Sequence, residues 1–275
     1  MLDKTDLHTH TIASGHAYST RKEMIEAAAT KGLEVYAITE RAPAMPGSCN
    51  SMYFMNYSAL PRKHGEMTVL YGVELNILDY EGHVDLPESI LKEMDLALAS
   101  LHTPCFTAGS RAENTRAYIG AMKNPYIIFI AHPDDARMPV DYEQLVKAAK
   151  EYNVILEVNN ASLSPGSFRG DPREIYHEML GLCIKYQVPV VMDSDAHIDT
   201  AVGAHDYARE VLERANFPEE LLVNAHPEIL KDYINYYCKK KIFIYLLQNF
   251  NMLKLLYDNV LKCTGRETMK RRNGI

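Results

Sequence analysis

The sequence contains no tryptophan, no low-complexity tract and no repeat at a fixed period, which sets aside solenoids, propellers and disordered linkers. Its five cysteines, Cys49, Cys105, Cys183, Cys238 and Cys263, are odd in number, scattered and without a CxxC pair. That argues against a thiolate zinc site and against a disulfide framework, and fits reduced thiols. Even an apolar run as long as any in the chain, Ile242 to Leu247, falls far short of the roughly 20 residues a membrane helix needs. The opening MLDKTDLH lacks the apolar stretch of a secretory signal, so a cytoplasmic location is expected. There is no GxSxG elbow, and no serine or cysteine has an evident histidine partner. No side-chain nucleophile is therefore evident.

What is present is a chain of 275 residues, 47% hydrophobic, long enough for one large domain with a sizeable core. Its net charge of −7 is unevenly spread. Residues 231–275 hold ten Lys/Arg and three Asp/Glu, a charge of +7, which leaves −14 on residues 1–230. So acidic a body is a poor platform for long nucleic acid, where neutralisation of phosphates by Lys and Arg dominates affinity. The same carboxylates are suited to collecting cations.

Short apolar runs alternate with helical stretches, the pattern of a parallel sheet built from βα units. Seven strands are predicted, at 5–10, 34–41, 68–78, 95–102, 126–132, 154–160 and 189–197. Several are nearly continuous in Val, Ile, Leu and Ala, as strands covered on both faces should be. Between them, Thr20-Arg21-Lys22-Glu23 is a capping box, and the helix it opens stops at Gly32. Leu145, Ala148, Ala149 and Tyr152 make an apolar stripe after Asp141. Asp171-Pro172 reads as an N-cap with proline at the first helical position, ahead of a stripe of Ile175, Met179, Leu182, Cys183 and Tyr186. Ala208, Val211, Leu212 and Ala215 repeat the pattern. Seven such units predict an α/β fold, a closed or nearly closed (β/α)7 barrel, with a doubly wound open sheet as the alternative.

The ligand-type residues fall at particular places on these strands. His8 and His10 end the first, Glu40 and Arg41 the second, and Glu74 lies late in the third. His102 ends the fourth, His132 the fifth, and Asp195 and His197 the seventh. Taken singly, a histidine in a strand is an ordinary hydrogen-bonded residue, but an HxH pair puts two imidazoles on one strand face. Five of the eleven histidines, with one Glu and one Asp, occupy the C-terminal ends of five strands, where parallel barrels place their active sites. Scattered core histidines have no reason to collect there. Imidazole and carboxylate without thiolate suit Zn²⁺, with Mn²⁺ and Fe²⁺ as alternatives. So many ligands exceed one tetrahedral ion and imply two to three, which together could activate a water and stabilise a leaving oxygen.

Asp6-Leu7-His8-Thr9-His10-Thr11, Gly72-Val73-Glu74-Leu75-Asn76, Ser100-Leu101-His102, Ala131-His132-Pro133 and Asp193-Ser194-Asp195-Ala196-His197 together resemble the PHP (polymerase and histidinol phosphatase) family, in its compact stand-alone phosphatase branch. The resemblance runs in order from residue 3 to about residue 235. It implies a distorted seven-stranded barrel with a trinuclear, usually zinc, site that hydrolyses phosphate esters. By matching motifs, His8, His10, Glu74 and Asp195 would bind a first ion. Glu74 would bridge to a second held by His102 and His132, and His16 and His197 would serve a third. The expected activity is that of a phosphomonoesterase on a small phosphorylated metabolite. Exonuclease-like phosphodiester cleavage, amidohydrolase chemistry and a metal-binding scaffold with weakened turnover are the alternatives.

One position departs from the pattern. Where the family has Thr-Asp-His after the second strand, this chain has Thr39-Glu40-Arg41, and an arginine cannot replace an imidazole ligand. Glu40 could turn in and substitute, the third ion could be absent, or Arg41 could clamp a substrate phosphate; a merely solvent-facing Arg41 is the plain alternative. Glu157-Val158-Asn159-Asn160 ends the sixth strand, and Asn159 and Asn160 are candidates to orient substrate. Arg169, in a polar glycine-rich loop, is a candidate phosphate contact. His64, His83, His177, His205 and His226 fall off the predicted mouth and read as structural or surface residues. The domain division is a barrel over 1–235 and a basic helical extension over 236–275, which either packs beside the barrel or makes a subunit or anionic-surface contact.

Overall fold

The computed structural model of the protein describes residues 3–234; the expected C-terminal extension lies outside the described residues. Its strands are β1 (Thr5–Asp6), β2 (Val35–Arg41), β3 (Lys63–His64), β4 (Met67–Asn76), β5 (Leu96–Ser100), β6 (Phe129–Ile130), β7 (Ile155–Asn159) and β8 (Val190–Asp193). Seven of them run parallel in the order β1-β2-β4-β5-β6-β7-β8 around a nearly closed barrel, while β3 is a short antiparallel partner of β4. Sequence periodicity did not reveal β3, two exposed residues before a turn at Gly65. The open-sheet alternative is excluded by a parallel bridge between Thr9 and Ala196, which joins the chain just beyond the first and last strands.

The intervening helices use the signals in the sequence. Thr20 and Glu23 form a reciprocal capping box on Arg21–Thr30, and Asp141 accepts a hydrogen bond from Gln144 N to start Tyr142–Tyr152. The helix Arg173–Tyr186 begins one residue later than Asp171-Pro172 predicts, and Asp171 caps from outside by accepting from Arg173 N at 3.2 Å. Its buried face is Tyr176, Met179, Leu180 and Cys183, so the predicted stripe is rotated by about one residue. Among the described residues, no helix is long and apolar enough to cross a membrane.

Every residue of β2 and β5 is buried, as strands packed between a barrel interior and an outer helical layer must be. Gly72 admits the close approach of β4 to its neighbour: a Cβ there would lie 2.5 Å from Leu96 O.

The strands stop short of the predicted ends, and the reason positions the site. Immediately beyond β1 and β8 the next backbone N–H groups, those of Leu7 and Ser194, are taken by carboxylates instead of carbonyls. Leu7 N donates to Asp193 Oδ1 at 2.6 Å, and Ser194 N donates to Asp6 Oδ1 at 3.1 Å. Beyond β6, His132 N donates to Glu157 Oε2 at 2.6 Å. A side-chain acceptor satisfies the donor but spreads the chains apart, so the ladder ends and the next residues turn into the mouth. At the opposite end of the seam, Asn224 fills the gap between β1 and β8. Its Nδ2 donates to Thr5 O at 2.9 Å and Met192 O at 2.8 Å, while its Oδ1 accepts from Met192 N at 2.8 Å.

Candidate metal centre and active site

The residues after the strands converge on one buried cluster. The Nε2 atoms of His8 and His10 lie 3.1 Å apart. Glu74 Oε2 stands 3.5 Å from the first and 3.4 Å from the second; Asp195 Oδ1 stands 3.5 and 3.2 Å from them. On the other side of Glu74, Oε1 lies 3.0 Å from His102 Nε2 and 2.9 Å from His132 Nε2. His16 and His197 sit at the rim with their Nε2 atoms 3.0 Å apart. The chain thus brings together all eight residues that the sequence nominated as ligands.

The hydrogen bonds at the far side of each ring fix what the near side offers. His8 Nδ1–H donates to Glu157 Oε1 at 2.7 Å, and His10 Nδ1–H to Ser14 Oγ at 3.1 Å. His102 Nδ1–H donates to Asn76 Oδ1 at 2.7 Å. A neutral imidazole has one N–H, so each Nε2 presents a lone pair to the interior. Glu74 Oε2 and Asp195 Oδ1 are buried there with no hydrogen-bond partner, and His132 Nδ1 is likewise unpartnered. With both imidazoles neutral, two lone pairs and two carboxylate oxygens face one another with no hydrogen between them. Buried polar atoms need a partner, and a cation supplies one to all four at once. His8, His10 and Glu74 fit one ion, with Asp195 Oδ1 within 3.5 Å of both imidazoles, and Glu74, His102 and His132 fit a second.

The protonation states agree with this. Burial, with Arg41 adding to it against Glu74, pushes His102 down to about 4. Burial with Arg169 pushes His132 down to about 3, and burial with His197 holds His10 well below the usual imidazole range. Burial opposes ionisation of Glu74, but Arg41, His102 and His8 hold its carboxyl well below the usual range. Burial is likewise overcome at Asp195, by His8, His10 and His197. Neutral imidazole and ionised carboxylate are the forms a metal ion requires. His8 is the exception: burial opposes its charge, yet Glu157, Asp195 and Glu74 raise its pKa well above the usual value. Without an ion, a proton on His8 partly balances the carboxylates.

Two of these residues have a positive φ, uncommon outside glycine, His132 with φ +29° and Asp195 with φ +52°. Both follow directly on the carboxylate-terminated strand ends, and the turn aims their side chains inward.

Several candidates are placed differently from expectation. Glu40 does not enter the cluster. Its carboxylate is buried against the loop after β1, accepting from Thr11 Oγ1 at 2.5 Å, Thr11 N at 3.1 Å and Ser14 Oγ at 2.6 Å. Adjacent residues of a strand point to opposite faces, so with Arg41 turned to the mouth Glu40 faces away. Asn160 is likewise directed elsewhere, its Oδ1 accepting from Tyr207 N at 2.9 Å and Ala208 N at 3.1 Å to cap the helix Asp206–Arg214. Asn159 does reach the site, with Nδ2 donating to Glu157 Oε2 at 3.1 Å and Asp195 Oδ2 at 3.3 Å. Glu157, rather than Asn160, is thus the second inward residue of β7, two positions before Asn159, as strand alternation requires.

Arg41 is 5% exposed, which rules out the solvent-facing alternative. Its Nη1 lies 2.7 Å from Glu74 Oε2 as an ion pair without hydrogen-bond alignment, and its Nε donates to His16 Nε2 at 3.0 Å. Arg169 is also buried, donating to Ser162 Oγ at 3.0 Å with Nη1 3.6 Å from Asp195 Oδ2. A cleft of about 170 Å³ opens on the cluster, bordered by His16, Arg41, His102, Arg137, Phe168 and Arg169. Arg137 and Phe168 had no signal in the sequence beyond loop position. The exposed Phe168 ring lies near two guanidinium groups, with Arg137 Cζ 5.0 Å and Arg169 Cζ 5.1 Å from its centre. Asp134 was also missed: fully buried, with both oxygens unpartnered, it is pushed up to about 7 by burial against the opposing pull of Arg169.

The PHP domain profile matches residues 6–244. The chain belongs to the PHP domain family. Among curated PHP relatives, a probable phosphatase of Caldicellulosiruptor saccharolyticus is 45% identical over 239 residues, covering 87% of this chain and 99% of its own. A probable phosphatase of Clostridium novyi is 42% identical over 229 residues, covering 83% and 93%. Among solved structures, histidinol phosphate phosphatase of Lactococcus lactis, complexed with zinc, L-histidinol and phosphate, superposes with a TM-score of 0.56 at 17% identity. The match spans 79% of this chain and 95% of that one. At that identity the likeness establishes the PHP barrel fold alone.

Proposed function

We propose that this PHP protein is a metal-dependent phosphohydrolase, a phosphomonoesterase that acts on a small phosphorylated metabolite at a two-ion centre. The observation that carries the proposal is the convergence of the His8 and His10 Nε2 atoms on Glu74 Oε2 and Asp195 Oδ1, two buried oxygens without a hydrogen-bond partner, extended through Glu74 to His102 and His132. The donor set of imidazole and carboxylate suits zinc, with manganese or iron as alternatives, and zinc is present in the Lactococcus lactis structure. Ions held there would polarise a phosphoryl oxygen and acidify a water at neutral pH.

The chain's own groups do the rest. Glu157 and Asn76 hold the His8 and His102 rings so that Nε2 points inward. Arg41 and Arg169 border the cleft as permanent cations, suited to the non-bridging oxygens of a phosphate. A cleft of about 170 Å³ favours a small ester over a polymer, and the acidic body disfavours nucleic acid. The names of the curated relatives, probable phosphatases, agree with phosphate-ester hydrolysis.

The test is elemental analysis of the purified protein, with phosphomonoester, phosphodiester and amide substrates assayed before and after chelation. Phosphomonoester hydrolysis that disappears with the metal and returns on adding zinc is expected. Undiminished activity in metal-free protein would overturn the proposal, as would turnover restricted to amides.

A further inference from the structure

The rim of the cluster differs chemically from its interior. His16 Nδ1–H donates to Ser14 O at 3.0 Å, and His197 Nδ1–H donates to Asp195 O at 2.8 Å. Both Nε2 atoms therefore carry lone pairs, and these face each other at 3.0 Å. Two such lone pairs repel unless positive charge lies against them. Here the chain supplies the charge itself. Arg41 Nε–H donates to His16 Nε2 at 3.0 Å, while Nη1 lies 2.5 Å from His102 Nε2 and 2.7 Å from Glu74 Oε2. One planar guanidinium thus meets donor atoms of both the rim and the interior.

The guanidinium is firmly placed. Arg41 ends β2 in register with Glu74 on β4, and its backbone N–H donates to Ser14 Oγ at 3.0 Å. His16, by contrast, belongs to none of the groupings whose donor atoms could close around an ion. Glu40, the nearest carboxylate in sequence, is committed to Thr11 and Ser14. The rim is therefore a poor ion site: the one carboxylate that groups with His197 is Asp195, which also groups with His8, His16 has none, and a cation is already in contact. An arginine stays protonated in a protein and cannot act as a ligand; beside His102 its charge is offset by the Glu74 carboxylate, whereas an ion at His16 would meet it with no carboxylate there to offset it.

We infer that Arg41 is a resident cation that takes the place of an ion at the His16–His197 rim, limiting this chain to two ions and presenting its charge to the substrate phosphate. The inference rests on the cluster being a metal centre. It differs from a bound ion in being beyond the reach of a chelator and independent of metal supply.

The experiment is zinc stoichiometry, by elemental analysis and calorimetric titration of the dialysed full-length protein, for wild type and Arg41→His. Two equivalents in wild type and a third in Arg41→His are expected. Three equivalents in wild type overturn the inference, as do two in a folded Arg41→His variant. No bound metal in wild type would instead overturn the metal-centre reading. If Arg41→His does not fold, anomalous scattering at the zinc edge from wild-type crystals decides. Two peaks, with the guanidinium against His16, support the inference; a peak between His16 and His197 removes it.

Discussion

Glu157 ties the two proposed ion sites together, which makes Glu157→Gln a sensitive perturbation. One oxygen accepts from His8 Nδ1–H at 2.7 Å; the other accepts from the His132 backbone at 2.6 Å and Asn159 Nδ2 at 3.1 Å. All three partners are donors. A glutamine of the same shape has only one acceptor oxygen, and its NH₂ must point at a donor whichever way it flips. Either His8 loses the bond that fixes its ring or His132 loses the one that turns its backbone into the mouth. Losing such an orienting partner lowers metal affinity about 10- to 100-fold, roughly 1.4–2.7 kcal/mol. Because His8 is assigned to one proposed site and His132 to the other, at least one site should weaken whichever bond is lost. A buried unpaired donor should also cost about 1–3 kcal/mol of stability in the metal-free protein. Competition against a fluorescent zinc chelator measures the first effect, and urea unfolding in the presence of a chelator measures the second. Zinc affinity within twofold of wild type at both sites would refute the assignment of Glu157 as the residue that orients them.

Two further predictions concern groups outside the cluster. His205 is buried, with Nδ1 2.8 Å from Asp3 Oδ2 and Nε2 3.6 Å from Asp6 Oδ1; burial opposes its charge, but the two carboxylates raise it to about 10. A raised folded-state pKa stabilises fully below the unfolded value of about 6.5 and loses that contribution as pH rises through about 10, at roughly 1.4 kcal/mol for each pH unit climbed between the two. Wild type should therefore lose stability between neutral pH and about pH 10, and His205→Gln should show a flatter profile in pH-dependent denaturant melts; parallel profiles would contradict this. Asn160→Ala removes the cap from Tyr207 N and Ala208 N and should cost about 1 kcal/mol with zinc content unchanged. A loss of bound metal in that variant would show that Asn160 serves the centre after all.

The barrel and most of the cluster were legible in the sequence, because both depend on local chemistry repeated at strand spacing. Apolar runs with period-two side chains set β2, β4, β5 and β7, and His8, His10, Glu74, His102, His132, Asp195 and His197 sit where such strands end. What stayed hidden was which way adjacent polar residues face and where the ladders stop. Glu40 and Arg41 are neighbours in sequence, yet one secures the loop after β1 and the other enters the site. Asn159 and Asn160 divide in the same way between Asp195 and a helix cap. Only the closed barrel settles such choices, because only closure brings Asp193 to Leu7 and Asp6 to Ser194 across nearly the whole chain. Those carboxylates end the ladders, turn the ligand residues inward, and leave Arg41 buried against three donor atoms that no spacing in the sequence could have connected.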